Sequence, residues 1–149
     1  MRRALISNLA ALILIGVLAG TGAAKPAPAP RTIEGTYKTP ALGVSPQEGT
    51  RAYYYDCLNG IGCALLKLGA KDRFATLEVA DAAGQPVQAV VYRVPGFDEI
   101  GRFCGSTGEA WSTNGATELL VHVVPGTCES GGASVATTGT VRATVTSKL

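Results

Sequence analysis

Four cysteines are the residues of this chain best suited to chemistry. Cys57 and Cys63 flank the ring CLNGIGC, and Cys104 and Cys128 follow later in the chain. A structural zinc site needs four thiolate or imidazole ligands, commonly as close pairs such as Cys-x2-Cys, and a thioredoxin-type redox pair needs the same short spacing. Neither spacing occurs, so the cysteines predict disulfides and indicate no metal and no cofactor.

The pairing of these cysteines is open on number alone, since four cysteines allow three pairings. Sequence proximity and the layout of the predicted strands favour Cys57–Cys63 and Cys104–Cys128. Glycines and an asparagine inside CLNGIGC supply the unusual backbone angles that so small a ring requires. Disulfides form outside the cytoplasm, which predicts an oxidising compartment.

No catalytic constellation accompanies the cysteines, and we expect no catalytic residues. The single histidine, His122, alternates with apolar residues along a predicted strand and is therefore expected to face solvent or to lie at the rim of the sheet. Ser130 lies in CESGG, which resembles the nucleophile segment of trypsin-like proteases, but Cys128 and Glu129 replace its glycine and aspartate. The sequence has no run of alternating aspartates, so it predicts no EF-type calcium loop. A calcium site built from distant loops is an alternative that the sequence leaves open.

Aromatic side chains are the candidate binding residues. Trp111 lies in the predicted loop GEAWSTNG, and Tyr53 and Tyr55 lie in the predicted strand TRAYYYDC. Exposed tryptophan and tyrosine commonly stack on sugar rings or contact proteins. The expected ligand is therefore a cell-wall glycan or a protein; the alternative is that Trp111 folds over the end of a sheet.

Residues 1–24 have the pattern of a secretory signal peptide. Arg2 and Arg3 precede an apolar stretch, and small residues at 22–24 fit a cleavage site. The apolar stretch is shorter than the ~20 residues of a spanning helix. We therefore favour a cleaved signal peptide over a membrane anchor. Thr21 stands where a lipoprotein has its lipidated cysteine. We expect a secreted, extracellular protein that does not span the membrane after cleavage.

The segment that follows the signal peptide is a Pro/Ala-rich linker over residues 25–31, KPAPAPR. The whole chain has 13 Lys and Arg against 11 Asp and Glu, and loss of Arg2 and Arg3 brings the two signs into balance. A neutral protein gains little from the charge of nucleic acid or anionic membranes. We therefore expect no nucleic-acid partner.

Residues 32–149 predict a single all-β domain. Apolar residues alternate with polar ones in FATLEVAD and in TVRATVT, which indicates sheets with one face in water. The spacing favours a single antiparallel β-sandwich, jelly-roll or Ig-like, of about seven or eight strands with two disulfides. Residues 73–81 and 86–94 around the turn AAGQ predict a β-hairpin, and residues 95–101 predict a loop.

The stretch FATLEVADAAGQPVQAVVY resembles the bacterial pre-peptidase C-terminal type of β-sandwich. The segments FCGST, PGTC and ATTGTVRATVT are similar to small exported proteins of high-GC Gram-positive bacteria. Gln88 and Ala89 stand where the pre-peptidase type often has paired aspartates. The resemblance implies an accessory module that aids secretion, stability or substrate attachment, with no catalytic role.

The function expected from the sequence is therefore a secreted, non-catalytic binding or accessory module. The alternatives are a small secreted inhibitor or small-molecule carrier and, with less support, a hydrolase. A carrier needs a deep apolar cleft. An inhibitor needs a rigid exposed loop near a disulfide, for which PGTCESGG over residues 125–132 is the sequence candidate.

Overall fold

The computed structural model describes residues 26, 28–38, 57–128 and 138–149. Outside the described residues lie the predicted signal peptide, Tyr53 and Tyr55, and the part of the segment PGTCESGG that follows Cys128. The described chain forms eight strands. They are β1 (Arg31–Lys38), β2 (Cys63–Lys67), β3 (Phe74–Asp81), β4 (Val87–Val94), β5 (Asp98–Cys104), β6 (Trp111–Ser112), β7 (Glu118–Thr127) and β8 (Thr138–Thr146).

The strands form two four-stranded antiparallel sheets, as the predicted sandwich requires. The first sheet has the order β1-β8-β3-β6, and the second has the order β2-β7-β4-β5. The apolar residues that alternate along three strands are buried between the sheets, which confirms the predicted core faces. These residues are Ala75, Leu77 and Val79 of β3, Leu119, Val121 and Val123 of β7, and Val141, Ala143 and Val145 of β8.

The predicted hairpin over residues 73–94 is wrong, because β3 and β4 lie in different sheets. β3 pairs with β8 and β6, whereas β4 pairs with β7 and β5. Only the isolated bridge Ala80↔Pro86 links the ends of the two segments. Each strand has an apolar inner face, and the chain brings these faces together across the core, which buries more apolar surface than edge pairing would.

The tight hairpin of the structure joins β4 to β5, so the loop predicted over residues 95–101 is shorter than expected. Residues 95–97 make the turn, and the Phe97 N–H donates to the Arg93 carbonyl at 2.8 Å. Phe97 has a φ of 59°, in the left-handed region. The sequence DEIGRFC of β5 lacks clean alternation, since Gly101 interrupts it. The apolar pattern therefore did not reveal this strand.

The second sheet is apolar on both faces, in contrast to the predicted sheet with one face in water. Its outer face contributes a second buried cluster: Cys57, Cys63, Val90, Tyr92, Val94 and Leu120. His122 lies on this face, opposite Cys63 and Val90 in the strand register, and only 4% of it is exposed. The prediction that His122 faces solvent is wrong, because its neighbours on the outer face are themselves buried.

The outer face of the first sheet is polar and exposed, as predicted for a sheet with one face in water. At its centre Arg142 lies between Glu34 and Glu78 in the register, and the Arg142 Nε donates to Glu34 Oε1 at 2.7 Å. Rows of exposed threonines flank this charged row. They include Thr32, Thr36, Thr140 and Thr144.

Both predicted disulfides are present. Cys57 and Cys63 have Cα atoms 5.0 Å apart, and the Cα atoms of Cys104 and Cys128 are 5.8 Å apart. The first bond closes the segment before β2, and the second joins the end of β5 to the residue after β7. The two bonds confirm the predicted pairing and indicate an oxidising environment.

Candidate functional site

Residues 57–63, here called the disulfide turn, form a small ring fixed to the end of β1. The Gly60 N–H donates to the Cys57 carbonyl at 3.0 Å inside the ring. The Lys38 N–H donates to the Gly60 carbonyl at 2.7 Å, and the Gly62 N–H donates to the Lys38 carbonyl at 2.6 Å. Gly60 and Gly62 have φ values of 69° and 72°, which glycine adopts without strain. The Val123 N–H also donates to the Gly62 carbonyl at 2.8 Å, so the ring is held by its disulfide and by main-chain hydrogen bonds to both β1 and β7.

The disulfide turn presents aliphatic side chains to solvent. Leu58 is 59% exposed and Ile61 is 40% exposed, whereas both cysteines are buried. Among the described residues, the other large hydrophobic side chain with comparable exposure is Leu149 at the end of the chain. The disulfide turn therefore exposes two aliphatic side chains on a backbone that is held by a disulfide and by hydrogen bonds.

Two open clefts border the disulfide turn. The larger has a volume of about 630 Å³ and the smaller about 470 Å³. Thr36, Asn59 and Gly60 line both clefts, so the turn separates them. Polar and apolar groups both line the larger cleft, and its polar residues include Lys38, Asp81, Thr138 and Thr140.

The floor of the larger cleft is built around a buried tyrosine. The Tyr37 hydroxyl donates to the Ala80 carbonyl at 3.0 Å, across Gly139. Burial, together with the negative charge of Asp81, raises the pKa of Tyr37 to about 12. Tyr37 is therefore a neutral hydrogen-bond donor at physiological pH.

A compact turn forms one wall of the larger cleft. Asp81 Oδ1 accepts hydrogen bonds from the Ala83 N–H at 2.9 Å and the Gln85 N–H at 2.8 Å. A carboxylate that accepts neighbouring main-chain N–H groups fixes the local backbone. The wall opposite the disulfide turn is therefore also ordered before any ligand arrives.

Trp111 lies away from the disulfide turn. It belongs to the short strand β6 and pairs with Ala75 at the start of β3, whereas the larger cleft lies at the end of β3. Its ring packs against the core, edge-on to Phe103 with centroids 5.7 Å apart, and over Gly101. The structure therefore places this candidate binding residue half-buried where the two sheets meet.

Sequence reasoning named aromatic residues and missed Leu58 and Ile61. The signal was nevertheless present in CLNGIGC, because a ring of seven residues is too small to bury two large aliphatic side chains of its own. Once the disulfide is assigned, these side chains must lie either against a neighbouring element or in solvent. The structure shows the second arrangement.

The opposite end of the sandwich is fixed by an ion pair between Arg31 and Asp72. The Gly69 N–H also donates to Asp72 Oδ2, at 2.6 Å. Burial alone would raise the pKa of Asp72, but the hydrogen bonds from Arg31 and Gly69 and the Arg31 charge outweigh it. The pKa of Asp72 therefore lies below its ordinary value of 3.8.

Asp72→Asn is expected to reduce stability at neutral pH and to have little effect at acid pH. A carboxyl with a lowered pKa stabilises the folded state above its unfolded pKa, and this contribution is lost as the pH falls below about 4. An exposed ion pair contributes up to about 1 kcal/mol. Urea unfolding at pH 7 and pH 3 measures the effect, with Asp98→Asn as control. An equal stability difference between wild type and Asp72→Asn at both pH values would contradict this account.

The described residues contain no group of three or more His, Cys, Asp and Glu side chains that could hold a metal ion. Within the same residues, no helix is long and apolar enough to cross a membrane. In comparisons with known proteins, no family model, curated protein or solved structure matches the chain.

Proposed function

We propose that the protein is a secreted, non-catalytic binding module that contacts another extracellular protein through the disulfide turn. The exposure of Leu58 and Ile61 on a ring held by the disulfide and by Lys38 carries the proposal. A loop that is ordered before binding loses less conformational entropy in the complex. The signal-peptide pattern at residues 1–24 and the two disulfides support secretion.

The chemistry of the disulfide turn favours a protein partner over a glycan. Sugar rings stack on flat aromatic faces, whereas Leu58 and Ile61 are branched aliphatic side chains that fit apolar pockets. Thr36 and Asn59 line one cleft together with Leu58, and Lys38 pairs with Ile61 in an isolated bridge. An apolar centre with a polar rim is the usual anatomy of a protein–protein contact.

The same surface gives less support to the carrier and inhibitor alternatives. Small-molecule pockets are concave and enclose most of their ligand, but the two clefts beside the disulfide turn are open to solvent. Charged residues line both clefts, Lys38 and Asp81 in the larger and Lys67 and Glu118 in the smaller. The hydrogen bond between Gly60 and Cys57 closes the turn on itself. A substrate-like inhibitor loop must instead present an extended main chain to a protease, so the inhibitor alternative depends on residues 125–132, the segment that the sequence predicts for it.

The test replaces Leu58 and Ile61 with aspartate, singly and together, and measures binding of the mature protein to washed cell envelopes of the producing organism. We expect the wild type to bind untreated envelopes and to lose binding after protease treatment of the envelopes. The double variant should bind at least tenfold more weakly, which corresponds to about 1.4 kcal/mol. Leu149→Asp is the matched control and should bind like the wild type.

Two results would overturn the proposal. One is full binding to envelopes whose proteins have been digested and whose glycan is intact. The other is unchanged binding of the double aspartate variant, provided that its thermal unfolding shows it to be folded.

A further inference from the structure

Cationic side chains concentrate at the end of the sandwich opposite the disulfide turn. The Arg73 N–H donates to the Thr146 carbonyl at 2.8 Å, which places Arg73 beside the chain segment that leads to Lys148. Lys71 lies in the turn just before Arg73, and Arg93 reaches the same end from β4. We call Lys71, Arg73, Arg93 and Lys148 the basic end.

Few carboxylates balance the basic end. Asp72 is engaged by Arg31, and Asp98 lies opposite Arg93 in the β4–β5 register without forming an ion pair with it. Lys67 and Glu118 face each other across β2 and β7 and so offset each other, and Glu99, next to Asp98, pairs with Arg102. The ion pairs of the described chain are Arg31–Asp72, Arg102–Glu99 and Arg142–Glu34, and none includes a residue of the basic end.

Arg93 has unused hydrogen-bonding capacity. Its Nη2 donates to the Ser112 carbonyl at 3.3 Å, but its buried Nε has no hydrogen-bond partner in the described structure. A buried N–H without an acceptor carries a desolvation cost that a bound oxygen atom can relieve. A guanidinium offers parallel N–H groups to carboxylate or phosphate oxygens.

Arg73 also lies near Ser112, because the next residue, Phe74, pairs with Ser112. Arg73 borders a cavity of about 360 Å³ whose lining includes Phe74, Ser112, Asn114 and Gly115. The Thr113 N–H donates to the Arg73 carbonyl at 2.9 Å, so the backbone of Arg73 is fixed against this turn. Ser112 of β6 therefore has two arginines beside it, Arg93 from β4 of the second sheet and the exposed Arg73 just before β3 of the first sheet.

We propose that the basic end binds a phosphate-bearing polyanion, with Arg73 and Arg93 contacting phosphate oxygens and Lys71 and Lys148 adding long-range attraction. Two guanidinium groups provide directional donors for an oxygen-rich anion, and Arg is suited to phosphate for this reason. Cations spread over the end of a domain match repeated anionic groups better than a single small anion. The site is independent of the protein contact proposed for the disulfide turn.

The probes are inorganic polyphosphate and vesicles of phosphatidylglycerol mixed with phosphatidylcholine, since both present phosphate groups. We expect the mature wild-type protein to bind polyphosphate more weakly as NaCl rises from 50 to 200 mM, because binding releases counterions. Arg73→Gln and Arg93→Gln should each weaken binding at least fivefold and flatten the salt dependence. Lys38→Gln, at the opposite end, is the matched control and should bind like the wild type.

Further variants keep the test decisive. If Arg93→Gln does not fold, the exposed pair Lys71→Gln and Lys148→Gln should still lower polyphosphate affinity and the salt slope. Leu58→Asp should leave polyphosphate binding unchanged, which separates this site from the disulfide turn. Binding to phosphatidylglycerol vesicles but not to polyphosphate would support the site and assign its phosphate to a lipid headgroup.

Two results would overturn the inference. One is the absence of binding to both probes at 50 mM NaCl. The other is an equal loss of affinity in Lys38→Gln and Arg73→Gln, which would indicate attraction to overall charge and no particular site.

Discussion

Gly139→Ala is expected to destabilise the protein by about 3 kcal/mol, at the upper end of the usual cost of overpacking. A Cβ atom at this position would collide with the Ala80 carbonyl and the Tyr37 hydroxyl, and it would lie 2.6 Å from Tyr37 Cζ. The Ala80 carbonyl is main chain in β3, and Tyr37 is only 3% exposed, so neither has room to move. The substitution must either displace Tyr37 or separate β1, β8 and β3.

Urea unfolding of Gly139→Ala measures this cost, and Gly84→Ala provides the matched control. Gly84 lies in the same cleft wall with a φ of 79°, but a Cβ there would meet nothing within 4 Å. We expect Gly84→Ala to cost about 1–2 kcal/mol, from backbone strain alone. A Gly139→Ala variant as stable as Gly84→Ala would show that the Tyr37 contact is not the tight one described.

The core of this fold could be predicted from the sequence because its inner faces alternate cleanly. Leu77, Val141 and Val121 each lie in a run with period two, and all three are buried. Which strands pair could not be read from the same pattern. The residues around AAGQ satisfy a hairpin and an arch between two sheets equally well, and the arch exists because both strands have an apolar face to bury.

The position of His122 shows a second limit of pattern reasoning. Alternation along β7 correctly places His122 on the face opposite to Val121 and Val123, but it does not show whether that outer face is exposed to solvent. Val90 and Tyr92 on β4 share the face and are buried with it. A strand with apolar residues on both sides is expected to be buried on both faces, and the sequence VQAVVYRV of β4 has this pattern.

The candidate site was less accessible to sequence reasoning than the core. The disulfide pairing followed from proximity, and the small ring limits where Leu58 and Ile61 can lie, but only the structure shows that both are exposed to solvent. The basic end was harder still to predict from the sequence, because Arg73 and Arg93 are far apart in the chain. They approach the same strand only because β3 and β4 lie in facing sheets.

Removing Cys104–Cys128 is expected to cost more stability than removing Cys57–Cys63. In the chain-entropy account, a bond between residues 24 positions apart stabilises by about 3.5 kcal/mol, and one between residues 6 positions apart by about 2.4 kcal/mol. The longer bond also holds the edge strand β5 against the end of β7. Urea unfolding of the two paired Cys→Ala variants under non-reducing conditions measures both costs.

The order of the two double variants should be reversed for binding: the variant without Cys57–Cys63 should bind more weakly than the variant without Cys104–Cys128. Cys57→Ala with Cys63→Ala frees the ring that presents Leu58 and Ile61, so the partner must order it, and we expect affinity for the cell envelope to fall. Cys104→Ala with Cys128→Ala lowers stability but leaves the disulfide turn intact, so the folded protein should bind normally. If binding instead followed stability in both variants, the Cys57–Cys63 bond would act only on the fold, and the turn would lose its role as a pre-ordered contact surface.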